Sequence, residues 1–229
     1  MAKVEAIQIQ IDTSFVAQDS LESFIKPYRN RINEVLDSTL AYAPFMISKD
    51  EGNYNTPAGN LMADILLSEA NPIYKARTGH KIDFVVLNHG GIRSIISKGK
   101  VSARTAFEVM PFENSIAVVE LSGKSVQELV DFLVHSKRAH PISGMQIILD
   151  AKDKSISIKI QGEPLDINKT YRIATSDYLV SGGDDMIFFK DAIKVTSIDY
   201  LIRNAMIDYF KKVDTLNPVV DDRFYKLTN

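Results

Sequence analysis

The 229 residues contain no cysteine. Disulfides, thiolate metal sites, iron–sulfur clusters and a cysteine nucleophile are therefore excluded together. The absence fixes no compartment, since exported bacterial chains also manage without disulfides. A basic excess is missing too. Lys and Arg number 27 against 29 Asp and Glu, for a net charge of −2, which argues against nucleic acid as a partner because no positive field is available to grip its phosphates. Long apolar runs are absent. Residues 84–87 and 145–149 are strand-length, far short of the roughly 20 residues a membrane span requires. The start, Met1-Ala2-Lys3-Val4-Glu5, has no apolar signal core. It fits either a cytoplasmic chain or an exported one whose signal has been removed.

Several catalytic signatures are also missing. There is no G-x-x-x-x-G-K-[ST] loop, Gly90-Gly91 does not complete G-x-G-x-x-G, and no G-x-S-x-G elbow occurs. His80, His89, His135 and His140 make no H-E-x-x-H or H-x-H spacing, and Asp184-Asp185 alone is a poor metal site. No catalytic residue and no metal ligand is predicted.

What is present is ordinary globular composition, 45% hydrophobic and 24% charged, which supports a packed core. Ile7, Ile9 and Ile11 alternate with polar residues and predict a strand over residues 4–12. From Asp19 the spacing changes. Leu21, Phe24, Ile25, Tyr28, Ile32, Val35, Leu36 and Leu40 predict one helical stripe, capped at Asp19 or Ser20 and disturbed by Pro27. Thr56-Pro57 opens a helix to about Glu69. Ser125 with Glu128 predicts a capping box for a helix over 126–136, and Ser197 a cap for the last helix. Strands are expected at 83–88, 115–121, 145–150, 155–161, 171–175 and 224–227, with a hairpin around Lys152-Asp153-Lys154. The mixture of hairpins and crossover-length connections predicts an α+β fold, a single domain over 1–229 with mixed sheets and packed helices.

Two glycine loops follow buried strands. In Asn88-His89-Gly90-Gly91-Ile92-Arg93 the glycines allow close backbone approach to a ligand, Arg93 can fork onto phosphate or hydroxyl oxygens, and the Asn88 amide both donates and accepts. A tight turn with a surface arginine is the plainer alternative. In Tyr178-Leu179-Val180-Ser181-Gly182-Gly183-Asp184-Asp185 a ring and a carboxylate could surround one sugar–base unit. The alternative is a glycine hairpin with a solvated acidic tip. Phe112, in Met110-Pro111-Phe112-Glu113-Asn114, is either a core residue or a second stacking ring.

Taken in this order, Asn88-His89-Gly90-Gly91-Ile92-Arg93, Met110-Pro111-Phe112 and Tyr178…Ser181-Gly182-Gly183-Asp184 resemble the C-terminal, substrate-binding domain of the 5′-nucleotidases, the UDP-sugar hydrolase group. Ala58-Gly59-Asn60-Leu61, Val119-Glu120-Leu121-Ser122-Gly123-Lys124 and Gly162-Glu163-Pro164-Leu165 extend the likeness over about residues 30–225. The resemblance implies that Phe112 and Tyr178 sandwich a base and that Asn88 bonds its edge. It implies that Asp184 holds ribose hydroxyls, that Arg93 lies near ribose and phosphate, and that Gly90, Gly91, Gly144 and Gly183 give backbone access. Tyr178 stands where the family commonly has phenylalanine. The family's arginine ahead of the Gly-Asn-Leu helix has no counterpart, since 48–55 contain only Lys49.

The family's catalytic half, a two-metal phosphatase domain with D-x-H and G-N-H-[DE] motifs, has no match in these residues. The resemblance thus implies no cofactor in this chain, with divalent metal ions only in a separately encoded metallophosphatase partner. It implies export, to a periplasm where there is one. A non-catalytic nucleotide or nucleoside binder, and a relic that binds nothing, stand as the alternatives.

Overall fold

The computed structural model describes residues 6–10, 12, 19–136 and 138–227. The chain divides into two compact units, Met1–Ser38 and Thr39–Asn229. The first unit holds α1 (Asp19–Asp37), with Pro27 accommodated inside it and Arg29 paired to Glu22 two turns away. Leu40, the last member of the expected stripe, falls beyond this helix. Residues 6–10 and 12 form no strand, and the rest of 4–12 lies outside the described residues. Alternation marks a face able to pack. A strand also needs a partner for its N–H and C=O groups, and alternation cannot show one.

The second unit runs β1 (Thr39–Ala43), α2 (Pro57–Thr78), β2 (Phe84–Val86), β3 (Gly99–Ser102), α3 (Ala103–Val109), β4 (Ser115–Ser122), α4 (Gly123–His135), β5 (Ile142–Ser143), β6 (Met145–Leu149) and β7 (Ser155–Ile160). It continues with β8 (Glu163–Pro164), β9 (Thr170–Ser176), α5 (Asp177–Val180), β10 (Lys194–Leu201), α6 (Ile202–Phe210) and β11 (Phe224–Lys226). The fold is α+β, with sheets ordered β1-β3, β10-β4-β9-β2-β5 and β11-β6-β7-β8. No described helix is long and apolar enough to cross a membrane.

Period-two alternation splits the five-stranded sheet into two packed faces. Val85, Val118 and Ala174 face a core shared with α2 and α6, including Ile65, Leu66, Ala205 and Met206. Phe84, Val86, Val119, Leu121 and Ile173 face a second core with Leu129 and Val130 of α4 and Ile147 of β6. Burying each such aliphatic or aromatic side chain contributes about 1.5–3 kcal/mol. Every β2 residue is buried, as a strand covered on both sides should be.

Local signals set several helix ends, and three differ from expectation. Thr56 caps α2, its hydroxyl accepting from Gly59 N at 3.1 Å, with Pro57 leading the first turn. The helix passes Glu69 and the internal Pro72 and stops at Gly79, in the left-handed conformation at φ 77°. Buried Ala70 and Tyr74 hold the last turns against the cost of the proline. The cap of α4 is Ser122, accepting from Ser125 N; Ser125 lies inside the first turn. Gly123 is required there, because a Cβ would sit 2.2 Å from Asp166 O and 2.6 Å from Ile167 Cα. Ser197 is in mid-strand opposite Ala117, and the last helix begins at Ile202. A serine cap signal is outweighed there by a ladder of main-chain bonds.

This topology gathers three loops at one end of the sheet. β2 and β9 are parallel, with Phe84 beside Ile173, so both release their following loops at the same end. β4 is antiparallel to β9, with Ile116 beside Ser176, so the loop that precedes β4 arrives there as well.

Candidate functional site

Those three loops enclose a cavity of about 250 Å³ lined by Asn88, Gly90, Gly91, Arg93, Phe112, Asn114, Tyr178 and Asp184. A larger groove of about 740 Å³ lies between α4 and β7. It is a broad surface trough, and none of the candidate residues lines it. The smaller, more enclosed cavity is where the chemistry converges.

Asn88 follows β2 and is buried, while His89–Gly91 make a single tight turn with Gly91 N donating to Asn88 O at 3.1 Å. A Cβ on Gly91 would stand 2.9 Å from Asn88 Oδ1, and one on Gly90 3.3 Å from Asp184 Oδ2. The glycine pair thus leaves room for the amide and the carboxylate to meet. Asn88 Nδ2 donates to Asp184 Oδ2 at 2.7 Å, and Tyr178 OH donates to Asp184 Oδ1 at 3.0 Å. Bonding to that carboxylate holds the Tyr178 phenol above its usual pKa. Each carboxylate oxygen keeps a free lone pair beyond these bonds, enough for two further donors.

Gly183 lies beneath the ring of Tyr178, where a Cβ would fall 2.4 Å from two ring carbons. Gly182, Asp184 and Asp185 all have positive φ, a conformation Gly takes freely and Asp tolerates. The loop thereby brings a carboxylate back to the hydroxyl of its own tyrosine. Phe112 and Tyr178 are 40% and 45% exposed, which gives the cavity accessible aromatic walls. The Arg93 guanidinium stands 5.8 Å from the Phe112 ring centroid and is exposed at the rim.

Gly144 is not brought here. It sits between β5 and β6 at φ 79°, on a separate groove with Gln161 and Arg223. Four other residues near the cavity were not among the sequence candidates. Asn114 lines the cavity beside Phe112. Lys49 donates to Ile92 O at 2.7 Å, which puts an ammonium next to the chain at Arg93. Arg203, buried on α6, donates to Pro111 O at 3.2 Å and Phe112 O at 3.4 Å and stacks 4.1 Å from the Phe107 ring centroid. Its only sequence signal is an arginine among the inward positions Ile202, Ala205 and Met206. The fourth, His140, is buried behind Asn88, and burial lowers its pKa to about 4. Among the described residues no group of three His, Cys, Asp or Glu is placed to hold a metal ion.

The family model for the 5′-nucleotidase C-terminal domain matches residues 35–191. The chain belongs to that family. The Silent protein UshA(0) of Salmonella typhimurium is 32% identical over 71% of this chain and 29% of its own length. Protein UshA of Escherichia coli is 30% identical over the same shares. The chain therefore spans less than a third of the length of these two relatives. The fold agrees with the crystal structure of a 5′-nucleotidase precursor from Thermus thermophilus, at a TM-score of 0.74 and 21% identity, over 92% of this chain and 43% of that one.

Proposed function

We propose that this chain recognises a nucleotide through its nucleoside and positions it for phosphate-ester hydrolysis by a metallophosphatase domain on a separate chain. The observation that carries the reading is the Asn88–Asp184–Tyr178 cluster, facing a cavity whose other wall is Phe112. The carboxylate can take two ribose hydroxyls, the rings can stack on a base for about 1–3 kcal/mol, and the amide can read the base edge. The cavity is just below the roughly 300–1,000 Å³ of typical ligand pockets. It suits a nucleoside whose phosphate projects past Arg93, towards metal ions held by the other chain. Nucleoside binding energy would then be used to place the phosphate at those ions. The reading includes an exported, periplasm-type location, where the family resemblance points. No residue of this chain is assigned a bond-making role.

Calorimetry with adenosine, AMP and UDP-glucose tests recognition, and silence towards all three would refute it. The chain alone, with Mn²⁺ or Zn²⁺ added, is expected to leave AMP intact and to gain hydrolysis when the metallophosphatase is supplied. Robust turnover by the chain alone would overturn the division of labour.

Gly183→Ala offers a sharper probe of the stacking wall. The new methyl cannot coexist with the Tyr178 ring, which can swing away on its own side-chain torsions. Adenosine affinity is expected to drop about tenfold or more, the order of a lost base stack. The melting temperature should shift by only a few degrees. Unchanged affinity would remove Tyr178 from the site.

A further inference from the structure

His140 lies outside the cavity, yet it touches the chain on both sides of Asn88. His89 N donates to its Nδ1 at 3.3 Å, and the Leu87 main chain lies against the ring and favours a proton on it. An amide N–H can only donate, so Nδ1 is unprotonated and the ring proton sits on Nε2. With burial lowering the pKa to about 4, this neutral tautomer holds throughout the neutral range. The same stretch grips the loop twice more, through Leu87 N to Pro141 O at 2.9 Å and His89 Nδ1 to Ala139 O at 3.3 Å.

The ring also packs on Phe132, with centroids 5.6 Å apart. Phe132 in turn meets Phe188 edge-on at 5.6 Å. Phe188 lies in the turn Ile187–Asp191, directly beyond the loop that carries Asp184. One buried side chain therefore joins the two halves of the site. Polar contacts reach the Asn88 loop, and an aromatic chain reaches the Asp184 loop.

We infer that His140 is a positioning residue that fixes Asn88 against Asp184, and that it affects a bound nucleoside only through that pair. The inference rests on the cavity being a nucleoside site. A phenylalanine here would continue the packing of Phe132 and Phe188 but would leave the His89 N–H without an acceptor.

The test is a double-mutant cycle on the full chain, read by adenosine calorimetry. His140→Phe is expected to weaken binding about tenfold, the size of one well-placed hydrogen bond. His140→Asn, whose amide oxygen can accept from His89 N, should restore it to within about twofold. Combining Asn88→Ala with His140→Phe should cost no more than Asn88→Ala alone. Multiplying losses, or a folded His140→Phe that binds as the wild type does, would overturn the inference. Nitrogen NMR decides it without ligand. The wild-type ring should show the Nε2–H tautomer, and the Asn88 side-chain amide signals should move towards free-amide values in His140→Phe but not in His140→Asn. An Nδ1–H ring in the wild type, or unmoved Asn88 signals, would refute the positioning role. Absence of adenosine binding by the wild type refutes only the nucleoside reading, since the NMR result still stands or falls alone.

Discussion

Asp184→Ala is expected to lower adenosine affinity about 100-fold or more while leaving the fold intact. The carboxylate already accepts from Asn88 and Tyr178, so its loss releases the amide and the ring together and, in the proposed nucleoside reading, removes the acceptor for the ribose hydroxyls. Bonds to a charged acceptor are worth about 1.5–3 kcal/mol each, and two of them reach the 100-fold range. The residue is exposed and its backbone is left-handed at φ 51°, ψ 34°, where alanine costs about 1–2 kcal/mol. Asp184→Asn tolerates that conformation and still accepts from Tyr178, so an intermediate loss of about tenfold is expected. Calorimetry on the three proteins, each checked by thermal melt, measures this. Equal affinities would show that the ligand does not meet the carboxylate.

Sequence patterning captured the elements that depend on neighbours in the chain. The strands at 84–86, 115–122, 145–149, 155–160 and 170–176 and the Thr56-Pro57 helix start are settled by alternation, burial and capping. The two misplaced caps differ in cause. Ser125 gave way to Ser122, a serine three residues earlier that caps α4. Ser197 is a good cap residue locally, but β10 runs through it in pairing with Ala117 of β4, which only a tertiary partner could show. Of the strand expected over residues 4–12, residues 6–10 and 12 take up no strand conformation.

The site divides the same way. Asn88, Gly90, Gly91, Arg93, Phe112, Tyr178 and Asp184, singled out by two glycine loops and the family resemblance, line one cavity. Gly144, which only the family resemblance singled out, lies on a separate groove between β5 and β6, with a positive φ and Asp83 O close by. The supporting residues were not legible. Arg203 reaches the Phe112 loop from 91 residues away in sequence, and His140 reaches His89 across 51. Long-range hydrogen bonds of this kind leave no periodicity, and a buried arginine or histidine looks locally like any other helix or loop residue.

The largest effect on stability should come from Arg223→Met, at about 2–3 kcal/mol measured by urea unfolding. Arg223 forks onto Asp64 of α2 at 2.9 and 3.0 Å and onto Asp221 at 2.7 and 2.8 Å. It also donates to Ile142 O of β5 at 2.8 Å. One guanidinium thus binds a helix, a short edge strand and the segment leading into β11. Burial pulls its pKa down, but the bonds to Asp221 and Asp64 outweigh that and hold it above the usual range. Burial likewise raises Asp221, and the bonds from Arg223 overcome it to leave that carboxyl below its ordinary pKa. Methionine would fill the stem's volume but would leave Asp64 and Ile142 O without the guanidinium and Asp221 with only the main-chain N–H of residue 223. Lysine would keep the charge but lose the fork, and should recover only part of the loss. Because the Asp221 pKa is depressed in the folded chain, its stabilisation is present above about pH 3.9 and lost as the pH falls below it. Arg223→Met should therefore also flatten the acid limb of the stability profile. An unchanged urea midpoint would mean that the three elements hold together without this ion cluster.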